Sequence, residues 1–166
     1  DSTALRQALA LLLTINRIPQ LYYGTEILMN GTKEITDGNV RKDFPGGFPG
    51  DTVNKFTAEG RTKAENEMFN WLSRLLHWRQ GNEVITKGKQ TQFIPYNGVY
   101  VIARQYNGKT VMTILNGKRS DNSLKVERYA EIIGSTTSAT DVITGQKVDL
   151  GSDTKLSQRQ ALILEF

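Results

Sequence analysis

The 166-residue chain contains no cysteine, one histidine and four prolines. Without cysteine it has no disulfide framework, no thiol nucleophile and no cysteine-ligated zinc, and either redox compartment is compatible with it. Its longest apolar run covers only residues 8–13, whereas a membrane-spanning helix needs roughly 20 apolar residues. No segment has the pattern of a cleavable signal peptide. We therefore expect no membrane span and no disulfide scaffold.

The charge is mildly positive, with 21 Lys and Arg against 17 Asp and Glu, a net charge of +4. The basic residues occur singly or in pairs with acidic residues between them, whereas nucleic-acid-binding proteins concentrate them in one patch or stripe. A composition with 38% hydrophobic and 23% charged residues is typical of a globular chain with a packed core. We expect no nucleic-acid partner.

The first half of the chain alternates between helical and irregular patterns. Residues 1–16 repeat apolar side chains at spacings of three and four, which predicts a largely buried helix capped by Asp1 or Ser2. Residues 21–23 predict a short apolar strand that ends at Gly24, and such a strand directly after a helix favours a parallel sheet. Residues 30–51 are rich in Gly, Pro, Asn and Asp and predict a long ordered loop, which in a compact domain is usually functional. Residues 57–80 predict a second helix.

The pattern changes from helical to alternating after Gly81. Five strands are predicted, over residues 91–94, 99–105, 110–115, 139–144 and 161–166. Asn-Gly pairs at 97–98, 107–108 and 116–117, and Thr144-Gly145, are turn dipeptides that tolerate a left-handed backbone. We therefore predict an antiparallel β-sandwich over residues 82–166, with the domain boundary near residue 81.

Two segments carry a family resemblance. Residues 18–26, which include Tyr22, Tyr23, Gly24 and Glu26, resemble the last barrel strand of the α-amylase family, glycoside hydrolase family 13. Residues 37–51 resemble the following loop in its neopullulanase and cyclomaltodextrinase branch. The resemblance implies that residues 1–81 are the end of a (β/α)8 TIM barrel, with residues 18–23 as its last strand between flanking helices, and that residues 82–166 are its C-terminal β domain. Loops at this end of barrel strands form the active site.

The resemblance also implies what the parent protein does. It would be a retaining glycoside hydrolase acting on starch-type α-glucans, with a periplasmic or cell-surface location. The two catalytic carboxyl groups of such enzymes lie on middle barrel strands, upstream of the matched segment, so we expect no catalytic residue here. Asp37, Arg41 and Asp43 partly resemble the nucleophile motif, but the spacing is one residue too long. The single histidine, His77, is interpreted as structural.

The candidate substrate contacts lie in and before the long loop. The resemblance assigns Asp37 and Arg41 to a glucosyl unit, since a carboxylate accepts from hydroxyls and a guanidinium donates in a fixed fork. The alternative is an exposed ion pair of little energetic value. Phe44 and Phe48 either stack on glucose rings or anchor the loop.

Further expectations concern other contacts and partners. Tyr23 and Glu26 are additional candidate contacts, because adjacent tyrosines on a strand point to opposite faces and Glu26 directly follows the strand. No carboxylate spacing indicates a calcium loop, and we expect no cofactor and no metal. A barrel end alone lacks neighbours for its apolar faces, so the expected partner is the remaining barrel or a second copy of the chain. The alternative function is a noncatalytic α-glucan-binding or structural module.

Overall fold

The computed structural model describes residues 2–166, and the cap predicted at Asp1 lies outside them. The described residues form four α-helices and eight β-strands, joined by turns and short 3-10 segments. The helices are α1 (Ser2–Thr14), α2 (Lys63–Arg79), α3 (Glu83–Lys87) and α4 (Ala130–Ile133). The strands are β1 (Lys89–Gln92), β2 (Val99–Tyr106), β3 (Lys109–Asn116), β4 (Asn122–Leu124), β5 (Ser138–Asp141), β6 (Lys147–Asp149), β7 (Thr154–Leu156) and β8 (Ala161–Glu165). None of the described helices is long and apolar enough to cross a membrane.

Two compact units make up the chain, and each is described by itself. The loop unit comprises Gln20–Ser73, and the β unit comprises the stretch up to Pro19 together with Arg74–Phe166. The predicted domain division after residue 81 stays a prediction.

The β unit is built on a six-stranded antiparallel sheet with the strand order β1-β2-β3-β8-β5-β6. Strands β4 and β7 form a second, two-stranded antiparallel sheet. The predicted turn at Asn107-Gly108 joins β2 to β3, with φ angles of 49° and 75° and with Tyr106 paired to Lys109. Positive φ at both central residues is the conformation that matches strand twist in a two-residue hairpin. The antiparallel β domain predicted from the sequence is confirmed, with only two strands in its second sheet.

Both faces of the central strands are covered. On one face, side chains such as Val101, Met112 and Leu164 form the main core with Leu124 of β4 and Leu156 of β7. The opposite face carries Thr113 and the buried Arg104, whose partners are on α1. Because of this double coverage, most of β2, β3 and β8 is buried rather than alternately exposed.

The end of α1 is tied to the sheet by polar groups. The Arg104 guanidinium donates to the Thr14 carbonyl at 3.1 Å and to the Gly88 carbonyl at 2.8 Å. The Thr113 hydroxyl donates to the Thr14 hydroxyl at 2.9 Å, and Arg79 donates to the Leu13 carbonyl at 2.9 Å. The two arginines satisfy carbonyls that a helix C-terminus leaves without intrahelical partners, and Thr113 adds a bond to the Thr14 side chain.

The strand predicted over residues 18–23 is wrong. Every strand of residues 2–166 begins at Lys89 or later, and all the pairings are antiparallel. A barrel strand receives its backbone hydrogen bonds from strands on both sides, and the loop unit contains no strand to supply them. The segment is instead irregular, and it leads into a 3-10 turn at Thr25–Ile27.

The loop unit ends in the first part of α2, which begins with a capping box. The Thr62 hydroxyl accepts from the Glu65 amide at 3.3 Å, and the Glu65 carboxylate accepts from the Thr62 amide at 2.8 Å. Arg61 lies over the Phe69 ring, 3.6 Å from its centroid, and donates to the Lys55 and Phe56 carbonyls at 2.8 Å each. These bonds hold the end of the Gly- and Pro-rich segment against α2.

Candidate functional site

The loop unit contains a cavity of about 280 Å³. Its walls come from two stretches, residues 22–31 and residues 39–42, which are brought together by the fold of the loop. The lining side chains are aromatic or polar with few exceptions, and they are Tyr22, Tyr23, Thr25, Met29, Asn30, Asn39, Val40 and Lys42, together with Gly31. We name this the loop cavity.

Short-range hydrogen bonds bring the two walls together. The Asn39 side-chain oxygen accepts from the Thr32 amide at 2.7 Å, and the Thr36 hydroxyl accepts from the Asn39 amide at 3.1 Å. Gly31 lies so close to Asn39 that a Cβ atom at position 31 would collide with the Asn39 carbonyl. Lys42 closes the other end by donating to the Asn30 carbonyl at 3.3 Å.

Two tyrosines form the aromatic wall of the loop cavity. The rings of Tyr22 and Tyr23 are 4.6 Å apart between centroids and tilted by 33°. The Tyr23 hydroxyl donates to the Lys42 carbonyl at 2.8 Å. A hydrogen bond with Tyr22, and then partial burial, raise the pKa of Tyr23 above its usual value. The expectation that the two tyrosines face opposite sides is wrong, because without a strand they share one cavity.

Asp37 and Arg41 flank a 3-10 turn instead of lining the cavity. Asp37 begins the turn Asp37–Val40, whose amide end is capped by the Thr36 hydroxyl, and Arg41 follows it. Both side chains are exposed. Among the described residues no ion pair joins Asp37 to Arg41, so the alternative of a loop ion pair is wrong. The side chains of Asp37 and Arg41 are therefore accessible to solvent, and they lie close in sequence to Asn39 and Val40 of the cavity wall.

The two phenylalanines of the loop have different environments. Phe44 is half-buried and packs against Phe56, with the ring centroids 4.4 Å apart, as loop anchoring requires. Phe48 is 58% exposed. Beside it, the Asp51 carboxylate accepts from the Phe48 amide at 3.0 Å and the Gly46 amide at 2.7 Å. These two hydrogen bonds from backbone amides lower the pKa of the Asp51 carboxyl group. The same bonds hold the turn together.

The structure therefore brings only Tyr23 of the six predicted contacts into the cavity wall. Glu26 is half-buried in the 3-10 turn Thr25–Ile27 and is not part of that wall. Sequence reasoning did not select Asn30, Asn39 or Lys42, because their roles depend on how the loop folds back on itself. The adjacent Tyr22 could have been selected from the tyrosine pair alone.

The loop cavity suits a polar ligand. Phenol, amide and hydroxyl groups donate and accept hydrogen bonds, and the two rings offer flat apolar surface. Within residues 2–166 no three His, Asp or Glu side chains are grouped as metal ligands. The arrangement provides binding groups for a polyhydroxylated molecule.

Known proteins resemble this chain in sequence and in fold. Residues 90–165 match the model of the cyclo-malto-dextrinase C-terminal domain. The chain is similar to the C-terminal region of α-amylase-family proteins. It is 30% identical over 145 residues to a cyclomaltodextrin glucanotransferase of Niallia circulans, which covers 87% of this chain and 17% of that protein. It is 26% identical over 149 residues to an α-amylase of the same organism, covering 85% of this chain and 25% of that protein. It thus spans a quarter or less of these two relatives.

Solved structures of α-amylases share the fold. An α-amylase from Anoxybacillus superposes with a TM-score of 0.72 and 20% identity, covering 99% of this chain and 32% of that one. The α-amylase of Geobacillus thermoleovorans, solved with acarbose, superposes with a TM-score of 0.71 and 22% identity, covering 99% of this chain and 33% of that one. The chain therefore matches about a third of each enzyme.

Proposed function

We propose that this chain is the C-terminal part of a neopullulanase-like, retaining glycoside hydrolase that acts on starch-type α-1,4 or α-1,6 glucans. In this proposal residues 30–51 are a substrate loop, and the catalytic carboxylates belong to barrel strands outside this chain. The observation that carries the proposal is the match of residues 90–165 to the cyclo-malto-dextrinase C-terminal domain. The fold likeness to α-amylases over 99% of the chain supports it.

The apolar surface of the loop unit supports a barrel as its partner. Six of its large hydrophobic side chains are exposed, namely Tyr22, Tyr23, Ile35, Phe48, Val53 and Phe56. Only Ile27, Met68 and Leu72 of its hydrophobic side chains are buried. A unit with so small a core and so much exposed apolar area fits a segment that packs against further elements. We expect sedimentation velocity to show self-association of the chain alone, whereas a stable monomer would contradict this reasoning.

The loop side chains then have separate roles. Asp37 and Arg41 hydrogen-bond one glucosyl unit, Tyr23 offers its ring from the cavity wall, and Phe48 offers an exposed ring further along the loop. Phe44 anchors the loop through Phe56, and Glu26 holds the turn before the cavity. For residues 82–166 we propose a structural role, supported by the bonds that tie the sheet to the end of α1.

The test joins the chain to a barrel. The chain replaces the matching third of the Anoxybacillus α-amylase, and the chimera is assayed on soluble starch. We expect hydrolysis, and we expect Asp37→Ala and Arg41→Ala each to lower kcat/KM roughly tenfold, the effect of losing a charge-assisted hydrogen bond. Lys33→Ala is the matched control, because Lys33 is an exposed charge of the same loop.

Each other outcome contradicts a part of the proposal. A folded chimera without activity contradicts the enzyme assignment, and a chimera that does not fold contradicts the role as a barrel end. Equal activity of all the variants contradicts the sugar contacts of Asp37 and Arg41. Continuous heat on titrating the separate chain with maltoheptaose would show turnover, and it would place the catalytic carboxylates within these residues.

A further inference from the structure

The chain contains four Asn-Gly pairs, to whose asparagines the proposed function assigns no role. They occupy residues 30–31, 97–98, 107–108 and 116–117. Asparagine is a chemically labile residue, and a following glycine makes it more so. Glycine has no Cβ, so its amide nitrogen can approach the side chain of the residue before it. The four pairs share this chemistry, and the structure places them in different surroundings.

The modification that such a pair undergoes is deamidation. The glycine amide nitrogen attacks Cγ of the asparagine side chain and forms an N–Cγ bond. The side-chain nitrogen leaves as ammonia and takes with it the proton that the amide lost, which leaves a five-membered succinimide. Water then adds to one ring carbonyl and opens the ring to aspartate or to isoaspartate, whose backbone contains one additional methylene. The reaction needs water and no oxidant, reductant or cofactor.

The pair at residues 116–117 is held on both reacting groups. Asn116 is fully buried, and its side-chain amide donates to the Ser120 and Ser157 carbonyls at 3.0 and 2.8 Å. The attacking group would be the Gly117 amide, which donates to the Gly98 carbonyl at 2.8 Å. Ring closure would break all three hydrogen bonds and leave buried polar groups without partners. This pair is therefore protected in the folded chain.

The pair at residues 97–98 is held mainly through its side chain. The Asn97 side-chain oxygen accepts from the Lys118 ammonium at 2.6 Å, and its nitrogen donates to the Asn122 side-chain oxygen at 3.3 Å. The Asn97 carbonyl also accepts from the Asn122 amide group at 2.9 Å. Gly98 is fixed on its other side, where its carbonyl accepts from Gly117. Rotation of the side chain toward the Gly98 amide would break the bonds to Lys118 and Asn122.

The other two pairs have neither kind of protection. Asn30 and Asn107 are exposed, and within residues 2–166 neither side chain has a hydrogen-bond partner. The same holds for the backbone amides of Gly31 and Gly108. The surroundings of Gly108, at the tip of the β2–β3 hairpin, are open, with no atom near the place of a Cβ. At Asn30 the one bond is made by the backbone carbonyl, which accepts from Lys42 and leaves the side chain free to turn.

We propose that Asn30 and Asn107 are sites of spontaneous deamidation in the folded chain and that Asn97 and Asn116 are protected from it. The inference goes beyond the proposed function and does not rest on it. Each conversion adds one negative charge. Because Asn30 lines the loop cavity, its conversion places a carboxylate in the cavity wall. At Asn107 the additional methylene of isoaspartate lengthens a two-residue turn.

The test compares the four pairs within one molecule. The full 166-residue chain is incubated in mildly alkaline buffer made with water enriched in heavy oxygen, once native and once in urea. Peptide mass spectrometry follows the loss of ammonia and the uptake of label at each pair. In urea we expect similar rates at all four pairs, because the folded contacts are absent. In the native chain we expect Asn30 and Asn107 to react about tenfold faster, or more, than Asn97 and Asn116.

A variant tests the contact that protects Asn97. Lys118→Ala removes the ammonium from the Asn97 side-chain oxygen, and we expect the native rate at Asn97 to rise severalfold while the rate at Asn107 is unchanged. Lys155→Ala, an exposed residue of β7, is the matched control and should change neither rate. Circular dichroism confirms that each variant is folded.

The contrary results are distinct. Equal native rates at the four pairs, or a faster reaction at Asn97 or Asn116, overturn the proposal. Native Asn30 and Asn107 that stay intact while the chain in urea reacts overturn it as well. An unchanged rate at Asn97 in Lys118→Ala refutes the protection assigned to that contact. The chimera assay uses freshly prepared protein, so the proposed function stands or fails independently of these results.

Discussion

Arg104 is the side chain whose removal should damage the β unit most. It is only 1% exposed, and its guanidinium donates three hydrogen bonds to two carbonyls, those of Thr14 and Gly88. Within the described residues no carboxylate forms an ion pair with it. Burial, and then the charge of Arg79, lower the pKa of Arg104, but a guanidinium remains protonated at neutral pH. The positive charge of Arg104 is stabilised by the carbonyl groups at the C-terminal ends of α1 and α3, where the helix dipole favours a cation.

The expected cost of Arg104→Met follows from these bonds. Two buried carbonyls lose their donors, at about 1–3 kcal/mol each. The same substitution removes the desolvation cost of a buried charge, which offsets part of the loss. We therefore expect the free energy of unfolding to fall by about 3 kcal/mol. Arg104→Lys keeps the positive charge but removes the forked donor geometry of the guanidinium, so we expect a smaller fall in the free energy of unfolding.

The assay is urea unfolding followed by far-UV circular dichroism. Arg128→Met is the matched control, because Arg128 is exposed, lies 4.7 Å from the centroid of the Tyr96 ring and donates one long hydrogen bond, of 3.4 Å, to the Ile94 carbonyl. We expect that control to change stability by less than about 1 kcal/mol. An Arg104→Met variant as stable as the native chain would refute the assignment of Arg104 as the main polar tie between α1 and the sheet.

Three further predictions concern local structure. Gly108→Val places a β-branched residue at a φ of 75°, so we expect a loss of about 1–3 kcal/mol in thermal unfolding; an unchanged midpoint would contradict the turn geometry. Thr62→Ala removes the capping hydroxyl of α2 and should cost about 1 kcal/mol in urea unfolding, and no loss would argue against the capping box. The pKa of Asp51 is lowered in the folded chain. Its hydrogen bonds to the Gly46 and Phe48 amides are therefore fully present above the unfolded pKa of about 3.9. They are lost as the pH falls through the pKa of the folded chain. Protection of these amides from exchange should therefore decline on acidification in the native chain but not in Asp51→Asn, and equal pH dependence would refute the role of the carboxylate.

The sequence predicted most of the described elements near their observed positions. Periodicity placed α1, α2 and the β2–β3 hairpin, because helix spacing and Asn-Gly turns act between near neighbours in the chain. It missed β4, β6, β7, α3 and α4, which are three to five residues long. Elements so short are stabilised by the sheets and core that they join, and a local pattern contains little of that information.

The candidate site was only partly predictable for the same reason. Tyr23 could be selected from its position next to an expected barrel strand. Asn39 and Lys42 join the cavity wall only because the loop folds back through bonds such as Thr32 to Asn39. Contacts that close a loop depend on its tertiary path, and residue type alone does not reveal that path.

The sequence by itself determined the resemblance to the α-amylase family, the antiparallel nature of the C-terminal strands and the positions of the main turns, since these depend on local residue order and alternation. Only the tertiary structure decided that residues 18–23 form no strand, because a strand exists through its neighbours' hydrogen bonds. It also decided that Arg104 is buried in the middle of β2, where an alternating pattern would place a charge in solvent. That charge is tolerated because two helices end beside it and turn their carbonyls toward it.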